Sequence, residues 1–335
     1  MTSTIAGLHH VTAIASDPQR NLDFYAGFLG LRLVKRTINY DDPGTYHLYF
    51  GDEGGRPGTL LTFFPYPGAV RGRRGAGQAT AVTLTAAEGS FEYWIHRALR
   101  HAVPFNGPVT RFGERVLAFE DPDGLALELV ADAAAAGRTG WGGGPVPGEF
   151  AIRGVHAIAL AERSAEPTAE FLTATLGFRE LGRDGNRARY ETGNGGATAM
   201  VDLIEDASVP FGRVSAGTVH HVAWRTPDET SQQGWRDALT EQGSQVSPVM
   251  DRQYFHSIYF REPGGVLFEI ATDGPGFTAD EPLATLGGRL TLPAWLEERR
   301  AAVEEGLPLL RVPSENPAVP AETAGAQASD GNHAT

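Results

Sequence analysis

Two histidines and a glutamate, His156, His221 and Glu269, stand in apolar segments that read as strands of the chain's second half. Two imidazoles and a carboxylate can hold one face of an octahedral divalent ion such as iron(II). The opposite face then stays open to a substrate and dioxygen. Glu269 lies in Val266-Leu267-Phe268-Glu269-Ile270, apolar on both faces, where an unpaired carboxylate is costly. Taken singly, each residue has an ordinary reading as a satisfied core histidine or as an acid bonded to arginine or backbone amide. Together, at equivalent ends of repeated units, they favour metal ligation.

An internal repeat supplies the elements that must position them. Gly7-Leu8-His9-His10-Val11-Thr12 leads into NLDFYAGFLGLRLV, and Gly154-Val155-His156-Ala157-Ile158 leads into AEFLTATLGFREL. Each reads as strand, helix, Leu-Gly stop and strand. Asp17 and Pro18 supply a cap and a first-turn proline, Leu22, Tyr25 and Leu29 recur at helical spacing, and Gly30 ends the helix. Ser164 and Pro167 open the second copy, which Gly177 closes. QATAVTL before FEYWIHRAL matches TVHHVAW before QQGWRDAL, where Thr226-Pro227-Asp228-Glu229 has capping-box spacing. Hairpins with Asp-Pro-Asp-Gly and Glu-Pro-Gly-Gly turns close each half.

The expected fold is therefore α+β: four βαβββ modules forming two tandem domains, each an open, incomplete β-barrel with flanking helices. The domains span residues 1–132 and 151–275, joined by a Gly/Pro-rich linker at 133–150. A helical extension follows at 276–311, around PAWLEERRAAVEEGL, and a tail at 312–335 has the composition of a disordered segment.

Aligning H-A-I-A at His156 and H-V-A-W at His221 with H-V-T-A at His10 selects His221 over its neighbour His220, because adjacent strand residues face opposite ways. The first domain has His10 and Glu128, but Thr80 and Ala81 stand where the second has His220 and His221. The expectation is a metal in the second domain and none in the first.

Composition bounds the rest. The 335 residues are 41% apolar and 21% charged, as in a soluble globular protein. A net charge of −13 argues against nucleic acid or an anionic membrane as partner. The absence of cysteine excludes disulfides, thiolate metal sites and a cysteine nucleophile. No signal peptide and no apolar run of about 18 residues is visible, which makes the cytoplasm the expected location. Homo-oligomerisation stays open.

The stretches LHHVTAIASDPQRNLDFY, LVKRTINYDDPGTYHLYFGDEGGRPGTLLTFFP, TVHHVAW and DRQYFHSIYFREPGGVLFEIATDGPGF resemble the vicinal oxygen chelate superfamily. The match is to its two-domain ring-cleaving extradiol dioxygenases of the hydroquinone type, over roughly residues 5–310. The resemblance implies Fe(II) on His156, His221 and Glu269, and a small aromatic substrate opened with O2. It assigns Arg252 and Tyr259 to the substrate pocket, and His220 and His10 to positions beside the metal. His256 and His47 read as structural or surface residues. Related folds run isomerase or lyase chemistry with zinc, nickel, cobalt or manganese, and some members only bind ligands, so those readings stand as alternatives.

Overall fold

The structure, a computed structural model, describes residues 5–312. The tail expected at 312–335 lies outside the described residues apart from Val312. Module 1 comprises β1 (Leu8–Ala15), helix α1 (Pro18–Leu22) widening into a π turn at Asp23–Phe28, β2 (Arg32–Asn39), β3 (Asp42–Gly51) and β4 (Leu60–Pro65). Module 2 has β5 (Gln78–Ala86), α2 (Phe91–Arg100), β6 (Phe105–Arg111), β7 (Glu114–Glu120) and β8 (Ala126–Ala131). Module 3 has β9 (Ile152–Glu162), α3 (Glu166–Glu170) with a π turn at Phe171–Thr175, β10 (Arg179–Asp184), β11 (Arg187–Glu191) and β12 (Met200–Glu205). Module 4 has β13 (Thr218–Thr226), α4 (Glu229–Glu241), β14 (Met250–Asp251), β15 (Phe255–Arg261) and β16 (Leu267–Pro275).

The local signals act where physics puts them, with two exceptions. The Asp17 side chain accepts from the Arg20 amide at 2.7 Å, and Gly30 at φ +69° ends that segment. Leu22, Tyr25 and Leu29 are buried against the sheet. The second copy has no side-chain cap, since its helix begins at Glu166 after Ala165 rather than from Ser164. Asp228, not Thr226, caps α4, accepting from the Ser231 amide at 2.8 Å. In the extension, Ala294–Arg299 is a 3₁₀ turn leading into α5 (Arg300–Gly306).

The modules form two eight-stranded sheets of order β14-β15-β16-β13-β1-β4-β3-β2 and β10-β11-β12-β9-β5-β8-β7-β6. Within each module the first strand pairs in parallel with the last, across the helical crossover. The modules join through antiparallel seams, β1 to β13 and β5 to β9. Each sheet therefore takes one module from either half of the chain, and 1–132 and 151–275 do not each complete a sheet alone. Every module leaves the free edge of its first strand to be paired. A four-fold repeat offers both adjacent and crossed partners, and the chain takes the crossed ones. The segments 66–77 and 206–217 carry it between sheets and bridge one another at Arg71–Ala216, Arg73–Arg213 and Ala76–Phe211. One apolar core spans residues of all four modules. Among the described residues no helix is long and apolar enough to cross a membrane.

Candidate metal centre and its cavity

The β1–β13 seam brings two His-His pairs together. Thr12 pairs with His221, and His10 with Ala223, which pairs in turn with Glu269 on β16. Paired residues share a face and so do residues two apart on a strand. His10, Ala223 and Glu269 thus form a row across three strands, with His221 one step along on the same face. Alanine at the centre of the row leaves space that a larger side chain would fill.

In that space His10 Nε2 lies 3.2 Å from His221 Nε2. Glu269 Oε2 lies 2.9 Å from His221 Nε2 and 3.4 Å from His10 Nε2. Ligand atoms about 2.1 Å from a metal are about 3.0 Å apart in a cis octahedral set and about 3.4 Å apart in a tetrahedral one. The triangle fits three ligands of a divalent ion with further positions open. Glu269 Oε2 is buried and has no well-formed hydrogen bond in the protein, while Oε1 accepts from Ser257 Oγ. An oxygen left in this way, facing two imidazole nitrogens, is what a cation would satisfy. Among the described residues these three form the one cluster of histidine and carboxylate groups with such spacing.

The outer ring nitrogens are also held. His9 Nδ1 is 2.9 Å from His10 Nδ1, and His220 Nδ1 is 2.8 Å from His221 Nδ1, one nitrogen of each pair donating. A proton kept on Nδ1 of His10 and His221 leaves each Nε2 lone pair toward the site. Burial, helped by the neighbouring His10, lowers His9 to about 3, and burial with His221 lowers His220 to about 3. Burial also lowers His221. It pushes Glu269 up, but His10 and His221 outweigh it and hold the carboxyl well below its usual range. His221 is thereby held toward its neutral form and Glu269 as the anion, the protonation states that ligation needs.

A cavity of about 660 Å³ opens over the triangle, walled by Tyr40, Tyr49, Phe64, Phe255 and Tyr259. Its volume and aromatic walls suit a small ring. Tyr259 pairs directly with Glu269 across the β15–β16 hairpin, so the ten-residue spacing does put both on one face. The Tyr259 ring centroid is 5.7 Å from that of His221, and burial raises its hydroxyl pKa. Arg252 Nε donates to Tyr259 Oη at 3.2 Å. Its ion-pair partner is Asp41 at 3.0 Å, not the acids Glu241 and Asp251 nearer in sequence. His220 lines the cavity beside Phe64.

Two sequence assignments change. His156 lies on the other sheet, fully buried, with Nε2 2.9 Å from Glu114 and Nδ1 3.8 Å from Asp132. The cause is a one-residue slip in the repeat. Gly7 and Gly154 share a left-handed φ, of +126° and +138°, and Val11 faces Val222 as Ile158 faces Val82. His156 therefore matches His9, and Ala157 matches His10. A one-residue shift turns a strand side chain to the opposite face. His10, expected beside the metal, takes the place expected of His156. The triangle thus draws on both halves of the chain rather than on 151–275 alone.

His47, expected to be structural or on the surface, lines the cavity. Its Nε2 is 2.9 Å from Thr62 Oγ1 and its Nδ1 2.8 Å from Tyr49 Oη. Its place on β3, among the pocket-lining tyrosines of NYDDPGTYHLY, was the available signal. His256 stays outside, beside Glu229.

The second sheet carries the equivalent cup without the set. Glu128 pairs with Ala118 as Glu269 pairs with Tyr259, while Ala81 and Ala157 stand for His221 and His10. Arg111 and Arg252 correspond too, each followed by a residue in the left-handed region, Phe112 and Gln253. The Arg111 guanidinium lies 2.7 Å from both oxygens of Glu128, and Thr83 Oγ1 donates at 2.9 Å.

Comparison with known proteins agrees with this architecture. The sequence model of the Glyoxalase/Bleomycin resistance protein/Dioxygenase superfamily matches residues 7–129 and 154–270. MhqO of Bacillus subtilis (strain 168), provisionally named a ring-cleaving dioxygenase, is 44% identical over 309 residues, 92% of this chain and 97% of that protein. The chlorohydroquinone/hydroquinone 1,2-dioxygenase of Sphingobium indicum is 38% identical over 299 residues, 88% of this chain and 93% of that protein. A Bacillus subtilis crystal structure, provisionally called a dioxygenase, matches with TM-score 0.89 at 44% identity, covering 93% of this chain and 99% of that one. Maize glyoxalase I shares the fold, with TM-score 0.58 at 16% identity over 80% of this chain and 92% of that one.

Proposed function

The chain belongs to the Glyoxalase/Bleomycin resistance protein/Dioxygenase superfamily, and on that footing we propose that it is an Fe(II)-dependent ring-cleaving dioxygenase acting on hydroquinones. Cleavage is of the extradiol type, beside one ring hydroxyl, with both atoms of O2 entering the opened product. The observation that carries the reading is the buried, unsatisfied Glu269 Oε2 facing His10 Nε2 and His221 Nε2 at the foot of an aromatic cavity. The relative named a chlorohydroquinone/hydroquinone 1,2-dioxygenase supports the choice of substrate, and those named as ring-cleaving dioxygenases support the reaction.

His10, His221 and Glu269 would hold the ion, whose contribution is Lewis acidity toward a phenol and redox access to dioxygen. His9 and His220 keep the two ligating rings in the required tautomer and orientation. A 1,4-dihydroxy ring cannot chelate one ion through both oxygens, so its distal hydroxyl needs a protein partner. Tyr259 Oη, held by Arg252 Nε and kept protonated by burial, hydrogen-bonds that hydroxyl and orients it. The aromatic walls fix the ring and keep out water. His220, half-buried on the cavity wall and neutral because burial lowers it to about 3, offers a hydrogen bond to the reacting oxygen atoms rather than a proton. Its loss should slow turnover about 10²–10⁴-fold.

The edges of the triangle also suit a tetrahedral ion, which keeps a metal-dependent isomerase as the second reading. Anaerobic reconstitution with Fe(II), followed by oxygen uptake and absorbance scans on methylhydroquinone, separates the two. Stoichiometric oxygen uptake is expected. Turnover that persists unchanged without oxygen would contradict the proposal.

A further inference from the structure

The cavity's permanent charges are few and unevenly arranged. Of the side chains lining it, Arg252 is the one arginine or lysine, and Asp41 and Asp42 are its carboxylates. Arg252 is engaged on two sides, through Nε with Tyr259 Oη at 3.2 Å and through a terminal nitrogen with Asp41 at 3.0 Å. The guanidinium that would reach the distal hydroxyl of a hydroquinone is already neutralised by an acid from a different module.

Asp41 is held in this place. It sits in the turn between β2 and β3, where its amide donates to Asn39 Oδ1 at 3.0 Å. The adjacent Tyr40 Oη donates to Gln253 Oε1 at 3.0 Å, and Gln253 Nε2 donates to Asp280 at 2.8 Å. Tyr40-Asp41 thus meets Arg252-Gln253 in two contacts side by side, a seam between modules 1 and 4 along the cavity wall. Gln253 itself is in the left-handed region at φ +68°.

From this arrangement, and resting on the hydroquinone reading above, we infer that Asp41 is a specificity-determining residue that excludes anionic ring substituents. A carboxylate or sulfonate beside the distal hydroxyl would compete with Asp41 for Arg252 and face Asp42, finding no unpaired guanidinium. Asp41 and Asp42 stand at the solvent-exposed rim of the cavity, where like charges oppose an entering anion, though less than in a dry site. Uncharged hydroquinones, bearing hydrogen, alkyl or halogen, meet no such opposition. Asp41 touches the positioning guanidinium and takes no part in bond making.

The test compares methylhydroquinone with 2,5-dihydroxybenzenesulfonate, whose sulfonate is a poor metal chelator. Wild type, Asp41→Asn and Asp41→Ala are measured both by kcat/KM and by anaerobic equilibrium dialysis. Wild type should favour the neutral ring by 100-fold or more in both. Either substitution should cut that preference at least tenfold, through the sulfonate, while methylhydroquinone changes less than about threefold. An unchanged ratio in folded variants would overturn the role of Asp41. Methylhydroquinone that is neither bound nor consumed by wild type would overturn the ring-cleavage reading, and this inference with it. Selective binding without oxygen uptake would uphold Asp41 and reject only the chemistry.

Discussion

Glu269 and Glu128 hold equivalent places in the two sheets, opposite Tyr259 and Ala118, yet only Glu128 carries a guanidinium. Arg111 supplies inside the second cup the positive charge that the histidine triangle of the first would draw from a bound ion. Its counterpart Arg252 turns instead to Tyr259 and Asp41. One duplicated frame thereby yields a cup closed by its own arginine and a cup left open for chemistry.

Arg111→Met should strand the buried Glu128 carboxylate and destabilise the protein by about 2–4 kcal/mol. Urea unfolding would measure the loss. Adding Glu128→Gln should recover part of it, because the uncompensated charge is removed. Turnover per folded molecule should hold, since both residues lie on the sheet that lacks the triangle. An Arg111→Met protein as stable as wild type would remove the reason given for a closed second cup.

The pairing of edges explains what could be read beforehand. Asp17, Gly30, the Asp-Pro-Asp-Gly and Glu-Pro-Gly-Gly turns and the alternation around Glu269 act locally, so four modules and two members of the triangle, His221 and Glu269, were legible. Whether module 1 pairs with module 2 or 4 depends on tertiary contacts along 66–77 and 206–217, on which an internal repeat is silent. The short apolar runs around His9-His10 and His156 align almost equally well in two registers. Anchoring them on Gly7 and Gly154 would have matched His156 to His9 and released His10 for the triangle. Asp41 and His47 join the cavity only when β2 and β3 meet module 4 through this same seam.

Ala223 tests the geometry of the row. It is fully buried between His10 and Glu269 on paired strands. Ala223→Leu should occupy the space between them, costing about 1–3 kcal/mol in overpacking. Fe(II) affinity should fall at least tenfold, as followed by competition with a chelator. Unaltered affinity would mean that the ion does not sit where the three side chains converge.

A pH signature comes from Glu162, buried at the end of β9 with one oxygen lacking a hydrogen bond. Burial, with the nearby Glu262, raises its carboxyl to about 8. A folded-state value above the unfolded one adds stability that is whole at low pH and is lost as pH rises through the folded value. Wild type should therefore weaken relative to Glu162→Gln between about pH 4.5 and 8. The difference should be on the order of 1–2 kcal/mol, discounted because the adjoining Gly264-Gly265 turn is partly open to water. Parallel thermal melts across that range would show the two diverging, and curves that keep a constant separation would refute the assignment.

The central claim is the identity of the triangle, and metal content after anaerobic loading with one equivalent of Fe(II) tests it most directly. Wild type and His156→Ala should each retain about one iron per chain, while His10→Ala and His221→Ala should retain less than about a tenth of that. Circular dichroism would confirm that each variant is folded. Iron kept by His10→Ala and lost from His156→Ala would contradict the account.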